Sequence, residues 1–493
     1  MLTNVSNTAH VFSPIELPCG IQINNRLVKV AMYEHLASLF GGAPNLYHFQ
    51  LYSAWAMHDW GMIITGNVQV SRTHLSLGRD MIIPESVTLE SISPFKKLSS
   101  AIHGKDNRNL AIMQLNHSGR QSSNLLGGRY PFQPPLAPSP LPVGAKATGL
   151  LSVLIHKILF QKPRAMTYDD IDEVLSSFVK GAVVAAASGF DGVQLHVAHG
   201  YLLAQFISPK SNIRTDEYSS EKENALRLLR RITSSIREVV PSKFILGIKL
   251  NASDYTTPQT AEQPEDRALE HLMTIAQWGD VDFIEVSGGD YEHPDFMTTT
   301  PHSARQAFFH RFSHQALKAL DSLPETSKPV PVILLTGGLL TPALIHKALS
   351  SRHAQLLGIG RGSVLRPDLP ELLKTKSNDQ SLWDDALFQQ EPDLRNPQFL
   401  GYWPFSWFWG LFPNIALVGA GVNMAWYVVA IRGMASRIGS NGISKPNYSI
   451  GGLGAVVRMW AWTPWDTYTP GTSYRILILS LSVVMFAILS LGY

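Results

Sequence analysis

The segment Gly189-Phe-Asp-Gly-Val-Gln-Leu-His196-Val-Ala-His199-Gly-Tyr201 places three proton-handling side chains within six residues. An apolar run ends at His196, and a second histidine and a tyrosine follow where the run gives way to a loop. Two imidazoles can donate hydrogen bonds to one substrate oxygen and so polarise a carbonyl or nitro group. A neighbouring phenol can deliver a proton. On spacing alone the His-x-x-His pair also admits a metal site or two packed core histidines. No glutamate adjoins the pair in the zinc-protease arrangement, and Tyr201 has no place in such a site, so no metal is expected.

Groups of this kind must be held by a scaffold, and the sequence supplies a repeating one. Eight short apolar runs occur in order: Leu27–Met32, Gly61–Val68, Leu110–Leu115, Gly192–Val197, Phe244–Leu250, Asp282–Ser287, Val330–Thr336 and Gln355–Gly360. Stretches with apolar residues three and four apart lie between most of them, including Tyr168–Ala187, Ala225–Val239, Glu265–Gln277 and Gln306–Leu320. Strands alternating with helices imply parallel pairing, because each parallel pair needs a long crossover. Eight such units predict an α/β fold of the (β/α)8 TIM-barrel class, with a doubly wound open sheet as the alternative. Chemistry in such barrels sits at the C-terminal ends of the strands, where His196 falls. The Pro- and Gly-rich stretch Gly127–Thr148 cannot be helical and reads as a long loop after the third strand, overhanging that face. A surface excursion without a role is the other reading of it.

The chain has 493 residues, enough for a barrel of about 250 residues enlarged by insertions, plus an appended segment. Its net charge of +3 makes no case for nucleic acid. The charge is unevenly placed. Residues 396–493 hold five basic side chains against one acid, Asp466, while the rest of the chain holds 36 basic and 37 acidic groups. Seven of the 11 tryptophans lie in the same C-terminal region. Basic, Trp-rich flanks beside apolar runs suit a membrane interface. The uncharged stretch 402–431 is interrupted by Pro404, Pro413 and several glycines and reads as packed or interfacial rather than spanning. Ile476–Tyr493 is an uncharged run of 18 residues after Arg475. As a helix it is about 27 Å long, just enough to cross a bilayer. A C-terminal tail anchor with the barrel facing the cytosol is therefore expected, against the alternative of a core helix or groove-filling tail. The expected organisation is a barrel over residues 11–375, a linker and Trp-rich extension over 376–474, and a tail over 475–493. The single cysteine, Cys19, rules out an internal disulfide and a cysteine-ligated cluster. Met1–Pro14 lacks the basic start and apolar core of a signal peptide.

Several motifs in order make the reading specific. They are Asn25-Arg-Leu-Val-Lys-Val-Ala-Met, Gly61-Met-Ile-Ile-Thr-Gly-Asn, Gln114-Leu-Asn-His-Ser-Gly-Arg120, the His196 segment, Ser208-Pro-Lys-Ser-Asn-Ile-Arg-Thr-Asp-Glu-Tyr218, Lys249-Leu-Asn-Ala-Ser-Asp-Tyr255, Thr336-Gly-Gly338 and Gly358-Ile-Gly-Arg361. Over roughly residues 11–375 the chain resembles the Old Yellow Enzyme family of FMN-dependent NAD(P)H:enone reductases, in particular its NADH oxidase-like branch. The resemblance implies bound FMN and either NADH or NADPH as hydride donor. It implies that Val30, Ala31, Met32 and Tyr33 line the isoalloxazine ring, that Gly66 or Asn67 lets the ring approach closely, and that Gln114 hydrogen-bonds its pyrimidine edge. Lys249 would face N1 and O2, where a fixed cation stabilises the negative charge that develops on reduction. Gly337-Gly338 and Gly360-Arg361 would close the phosphate site after strands seven and eight, where backbone amides and a guanidinium suit a dianion. His196 and His199 would hold the oxygen of an α,β-unsaturated carbonyl substrate. FMN N5 would pass hydride to its β-carbon, and Tyr201 would protonate the α-carbon. Both substrates would use one site in turn.

Two positions depart from the pattern. Tyr33 stands where a small polar side chain often tunes the flavin, and His35 stands where a substrate-facing aromatic is common, so His35 joins His196, His199 and Tyr201 as a candidate substrate contact. The long loop and apolar C-terminal region suggest a lipophilic substrate of specialised metabolism. The other functions to weigh are a flavin-dependent desaturase or oxidase reoxidised by oxygen, and a non-catalytic membrane-tethered barrel.

Overall fold

A computed structural model describes residues 10–106, 108–130, 133–144, 156–252, 264–287, 304–324, 328–377, 387–388, 392, 394, 416–436 and 446–462. Eight parallel strands carry the fold: β1 Leu27–Lys29, β2 Met62–Gln69, β3 Leu110–Asn116, β4 Gly192–Val197, β5 Ile245–Asn251, β6 Phe283–Ser287, β7 Val332–Thr336 and β8 Leu356–Ile359. Each pairs with its sequence neighbour, and β8 pairs with β1, so the sheet closes on itself. The expected barrel is what forms, and each expected apolar run supplies one strand.

Side chains alternate across a strand with a period of two, and this alternation sorts the barrel interior by height. At the N-terminal end the inward positions are apolar. Val28, Val30, Met62, Ile64, Ile112, Ile245, Phe283, Val332, Leu334 and Leu356 form one cluster, closed from below by Leu17 and Ile23 of a short hairpin, Ile15–Glu16 with Gln22–Ile23. Phe283 fills the middle so completely that a Cβ on Gly247 would lie 2.1 Å from its ring. Two residues further along the same strands, inward positions turn polar: Gln114 after Ile112, Gln194 after Gly192, Lys249 after Gly247, Glu285 after Phe283 and Thr336 after Leu334. The apolar plug keeps water out, and the polar layer above it is the floor of a site.

The helices cover the outside. In chain order α1 is Leu46–Ala56, α2 Leu89–His103, α3 Tyr168–Ala187, α4 Arg227–Val239, α5 Pro264–Trp278, α6 Ala304–Asp321, α7 Pro342–Ser350, α8 Leu369–Ser377, α9 Ala416–Ala435 and α10 Gly452–Ala461. The third helix shows why these segments are helical. Thr167 caps its first turn by accepting from the Asp170 amide, and Asp170 answers to the Thr167 amide, so the free N–H groups are satisfied. Ile171, Val174, Phe178, Ala182 and Ala185 then repeat at three and four residues and bury one face. That face lies on β3 and β4, with Gly181 letting Leu115 approach.

The stretch 402–431, expected to be packed or interfacial, contributes the described helix α9, which runs over residues 416–435. It packs on α1 and on the short helix Arg361–Leu365, and its Val422, Ala425, Trp426 and Ile431 belong to the same core as the barrel exterior. Among the described residues no helix is long and apolar enough to cross a membrane. The run Ile476–Tyr493 lies outside the described residues.

Six histidines, His35, His48, His74, His117, His196 and His271, are held by burial below their ordinary pKa, three of them (His48, His117 and His271) at about 3. Each is neutral when folded and charged when unfolded below pH 6.5, so the unfolded state takes up the protons and stability falls as pH falls. Each contributes a slope on the order of 1 kcal/mol per pH unit from about pH 6.5 downward. Thermal midpoints measured from pH 8 to pH 5 should be level above about pH 7 and drop steeply below about pH 6.5; a flat profile across this range would contradict neutral burial.

Candidate active site

The site stands at the C-terminal ends of the strands. Its floor is a buried polar chain that begins with Lys249, 5% exposed at the side chain, and Glu285, 0% exposed, whose Nζ and Oε1 are 3.0 Å apart. Register explains the meeting, since Lys249 pairs with Glu285 on one side and with His196 on the other. Glu285 also accepts from Thr336 Oγ1 and from Gln194 Nε2, both at 2.8 Å, and Gln194 Oε1 accepts from Gln114 Nε2 at 2.6 Å. Gln114 and Lys249, expected from the resemblance, are thus joined by Gln194 and Glu285, to which no role was assigned. The signal for both was available: each sits at an inward position two residues above the apolar plug.

Above this floor lies a second chain. His196 Nδ1 meets the Asn67 side chain at 2.7 Å, His196 Nε2 meets His199 Nδ1 at 2.9 Å, and His199 Nε2 meets Ser287 Oγ at 3.0 Å. Burial, with Lys249 nearby, holds His196 well below its usual pKa, so its ring is neutral. A neutral imidazole has one N–H. For Nε2 to donate to a substrate, Nδ1 must accept, and Asn67 must then turn its amide nitrogen toward it. His199 has a left-handed backbone, φ 58°, rare for a side chain other than glycine. Its carbonyl accepts from Gln121 Nε2 at 2.6 Å, and its ring is fixed at both nitrogens, which together hold the strained turn. Tyr201 caps the short helix Leu202–Ile207 and lies edge-on to the His196 ring at 4.7 Å. The three proton-handling residues of the opening segment are therefore brought together.

The overhanging loop covers Tyr201. Val143 and Phe160 pack with it, and Arg120 Nη1 holds the carbonyls of Leu141 and Pro142 at 3.3 Å. Residues 131–132 and 145–148 of the stretch Gly127–Thr148 lie outside the described residues.

Val30, Ala31, Met32 and Tyr33 follow β1 across the rim. The next residue, Glu34, does work that sequence reasoning missed. Its Oε1 accepts from Tyr52 Oη and from the Gly66 amide, the latter at 2.8 Å. A Cβ on Gly66 would lie 2.0 Å from Glu34 Oε2, so only glycine fits. Gly66 is in a bulge, where β2 slips register against β3 between Ile64 and Asn67. Lys29 Nζ holds the other side of this bulge through the Ile64 carbonyl at 3.2 Å and lies 4.1 Å from the Trp55 ring centroid. Burial pulls the Lys29 ammonium down to about 7, with Glu34 opposing that and Lys249 adding to it, while burial pushes Glu34 up. The pair thus fixes the bulge that aims Asn67 at His196.

Two glycine sites meet at the ends of adjacent strands. Gly337 and Gly338 both have positive φ, 104° and 75°, and a Cβ at Gly337 would meet no atom within 4 Å. Gly360 and Arg361 follow β8, and Arg361 Nη1 is buried without a hydrogen-bond partner. An unfilled buried donor beside an open glycine turn fits the phosphate of FMN. His35 is placed differently from the other candidates. It is 1% exposed and is engaged by Arg432 and Trp460 rather than by the histidine pair. Tyr33 lies beside it, at 5.5 Å between ring centroids, with its hydroxyl buried. No group of three or more potential metal ligands is present among the described residues.

Comparison with known proteins agrees with this geometry. The model of a family described as NADH:flavin oxidoreductase / NADH oxidase matches residues 10–380. The NADH-dependent flavin oxidoreductase iccE of Talaromyces variabilis is 31% identical over 436 residues, covering 86% of this chain and 98% of that protein. Its counterpart iliE of Neonectria sp. (strain DH2) is 36% identical over 366 residues, 73% of this chain but 46% of that protein, so the chain spans about half of that relative. Among solved structures, morphinone reductase superposes with a TM-score of 0.58 at 22% identity, over 78% of this chain and 96% of its own. 2-Naphthoyl-CoA reductase gives 0.61 at 18% identity, over 82% and 59%. At these identities the likeness is one of fold.

Replacing Arg361 with Gln should weaken FMN binding by about 10- to 100-fold, the loss of a charge-assisted contact to phosphate. Titration of apoprotein with FMN checks this, and unchanged affinity would remove Arg361 from the phosphate site.

Proposed function

Since the chain belongs to the NADH:flavin oxidoreductase / NADH oxidase family and is an FMN-dependent, NAD(P)H-using oxidoreductase of the Old Yellow Enzyme type, we propose that its second substrate is an α,β-unsaturated carbonyl compound whose activated C=C bond it reduces. The observation that carries this reading is the convergence of His196, His199 and Tyr201 above the Lys249–Glu285 floor. Bound FMN supplies the hydride store between NAD(P)H and the substrate.

The side chains supply the rest. The bond between His196 Nε2 and His199 Nδ1 occupies the atoms that would hold a carbonyl oxygen, so an entering substrate replaces it. The depressed pKa of His196 keeps it a neutral donor through the physiological range, so oxygen binding should lack a histidine titration near pH 6.5. Lys249 would offer a fixed cation to the flavin's pyrimidine edge, and Glu285, with Gln194 and Thr336 bonded to it, would keep it from swinging away. Tyr201, under Val143 and Phe160, is shielded from water and holds its proton until carbanion character develops at the α-carbon. The names of the two relatives favour NADH as donor. The covering loop and apolar surroundings favour a lipophilic substrate of specialised metabolism.

Tyr201→Phe should slow reoxidation of reduced enzyme by an enone about 100-fold or more, the usual scale of general-acid catalysis, while reduction by NADH changes less than about twofold. Anaerobic stopped-flow separates the two steps, and equal loss in both would show that Tyr201 is not the proton donor.

We also propose that Ile476–Tyr493 tethers the barrel to a membrane with the site on the cytosolic side. The support is the 18-residue uncharged run itself, with Arg475 before it. Removal of residues 475–493 should move the protein from the membrane pellet to the supernatant, and unchanged sedimentation would reject the tether.

A further inference from the structure

Helices α9 and α10 lie beyond residues 10–380, yet they touch both ends of the site. At the substrate end Arg432 of α9, 5% exposed, joins two segments. Its Nη1 donates to the carbonyls of Arg458 and Met459, near the end of α10, both at 3.0 Å. Its Nη2 donates to His35 Nδ1 at 2.6 Å and to the His35 carbonyl at 3.2 Å. Arg79 repeats the pattern one step along, with Nη1 on the Ala37 carbonyl at 3.1 Å and Nη2 on the Trp462 carbonyl at 3.0 Å. Both guanidiniums lie against the Trp462 ring, 4.3 Å and 5.6 Å from its centroid, and Trp460 meets His35 edge-on at 5.3 Å. Neither arginine is ion-paired with a carboxylate among the described residues. A buried guanidinium without a counter-charge needs uncharged acceptors, and here the acceptors of the Nη atoms belong to the 35–37 loop and to the end of α10. The loop needs the help. His35 has a left-handed backbone, φ 55°, which a non-glycine residue keeps only where its surroundings impose it.

At the phosphate end, α9 packs on the Arg361–Leu365 helix, and the Tyr427 ring lies 6.0 Å from the Arg361 guanidinium. Positions 427 and 432 are about 7.5 Å apart along one helix axis. One rigid element therefore contacts the cofactor arginine and the loop that carries Tyr33.

We infer that α9 is a working part of the active site, in which Arg432 is a positioning residue for the Tyr33–Ala37 loop on the substrate side and Tyr427 is a positioning residue for Arg361 on the phosphate side. The Arg432 arm rests on the enone reading above; the Tyr427 arm rests only on FMN binding.

Full-length variants test both arms. Tyr427→Leu should lower FMN affinity about three- to tenfold in apoprotein titrations followed by flavin fluorescence, and Tyr427→Phe should restore it, because the ring face is kept. Arg432→Gln should raise KM for cyclohex-2-enone about tenfold with kcat reduced no more than about twofold, and Arg432→Lys should recover part of the loss. A helix that served stability alone would lower the thermal midpoint and the active fraction, and so kcat, with KM and FMN affinity unmoved. Wild-type FMN affinity in Tyr427→Leu, or an unmoved KM in Arg432→Gln, overturns the inference. Should the wild-type protein accept hydride from NADH yet turn over no enone, the substrate reading fails. The Arg432 arm is then read from limited proteolysis: faster cleavage between residues 33 and 40 in Arg432→Gln supports it, and equal cleavage overturns it.

Discussion

A lysine buried at the centre of a barrel must have a negative partner, and everything in this site is arranged around that requirement. Lys249 alone would be an unpaired charge in the interior, which is costly. Glu285, fully buried one strand away, supplies the counter-charge, and Thr336 and Gln194 satisfy the carboxylate's remaining lone pairs. Such a pair is stable only when its hydrogen bonds are complete. The chain through Gln194 to Gln114 thus ties three strands to this buried pair. The same positive charge helps keep His196 neutral. Burial and this one charge together hold the His196 ring in its neutral form.

The second constraint is geometric. A regular β2 would point its side chains in strict alternation and could not bring Asn67 to His196 in this register. The bulge between Ile64 and Asn67 breaks the alternation, and Lys29 and Glu34 hold it from the neighbouring strand end. Neither residue is part of the Asn67–His196–His199–Ser287 chain. Their burial, on a layer otherwise made of Trp55, Tyr52 and aliphatic side chains, is intelligible as the cost of a bulge whose backbone groups find no ladder partner.

What the sequence made legible follows from how regular each feature is. Eight apolar runs at barrel spacing gave eight strands, and the capped, periodic stretch Tyr168–Ala187 has those ends in the structure. The first strand is shorter than expected, ending at Lys29, and one further backbone bond, from the Val30 amide to the Ile359 carbonyl, follows before the chain leaves the sheet. Helix α1 escaped notice for a physical reason. It packs on α2 and α9 and is apolar or aromatic at most positions, so no polar face sets off an amphipathic stripe to read. Helix α2 contains Pro94, which reads as a break. His196, His199 and Tyr201 were legible because they lie within six residues of one another. Gln194 and Glu285 required knowing which face of each strand points inward, and Glu34 required the bulge, which no periodicity announces.

The C-terminal region illustrates the limit most sharply. An uncharged, Trp-rich stretch has two physical solutions, since lipid and protein both remove apolar surface from water. Composition cannot choose between them, and the choice is made by complementarity with distant parts of the chain. For α9 that complementarity is visible: its apolar residues complete the shell over α1, and its one charge, Arg432, is matched to the ring nitrogen and carbonyl of His35, almost 400 residues earlier. A guanidinium inside an otherwise uncharged segment would be a liability in a bilayer and is an asset here, because it finds acceptors that only the folded barrel presents. The position of that arginine, rather than the hydrophobicity around it, is what distinguishes a helix that returns to the barrel from one that leaves it.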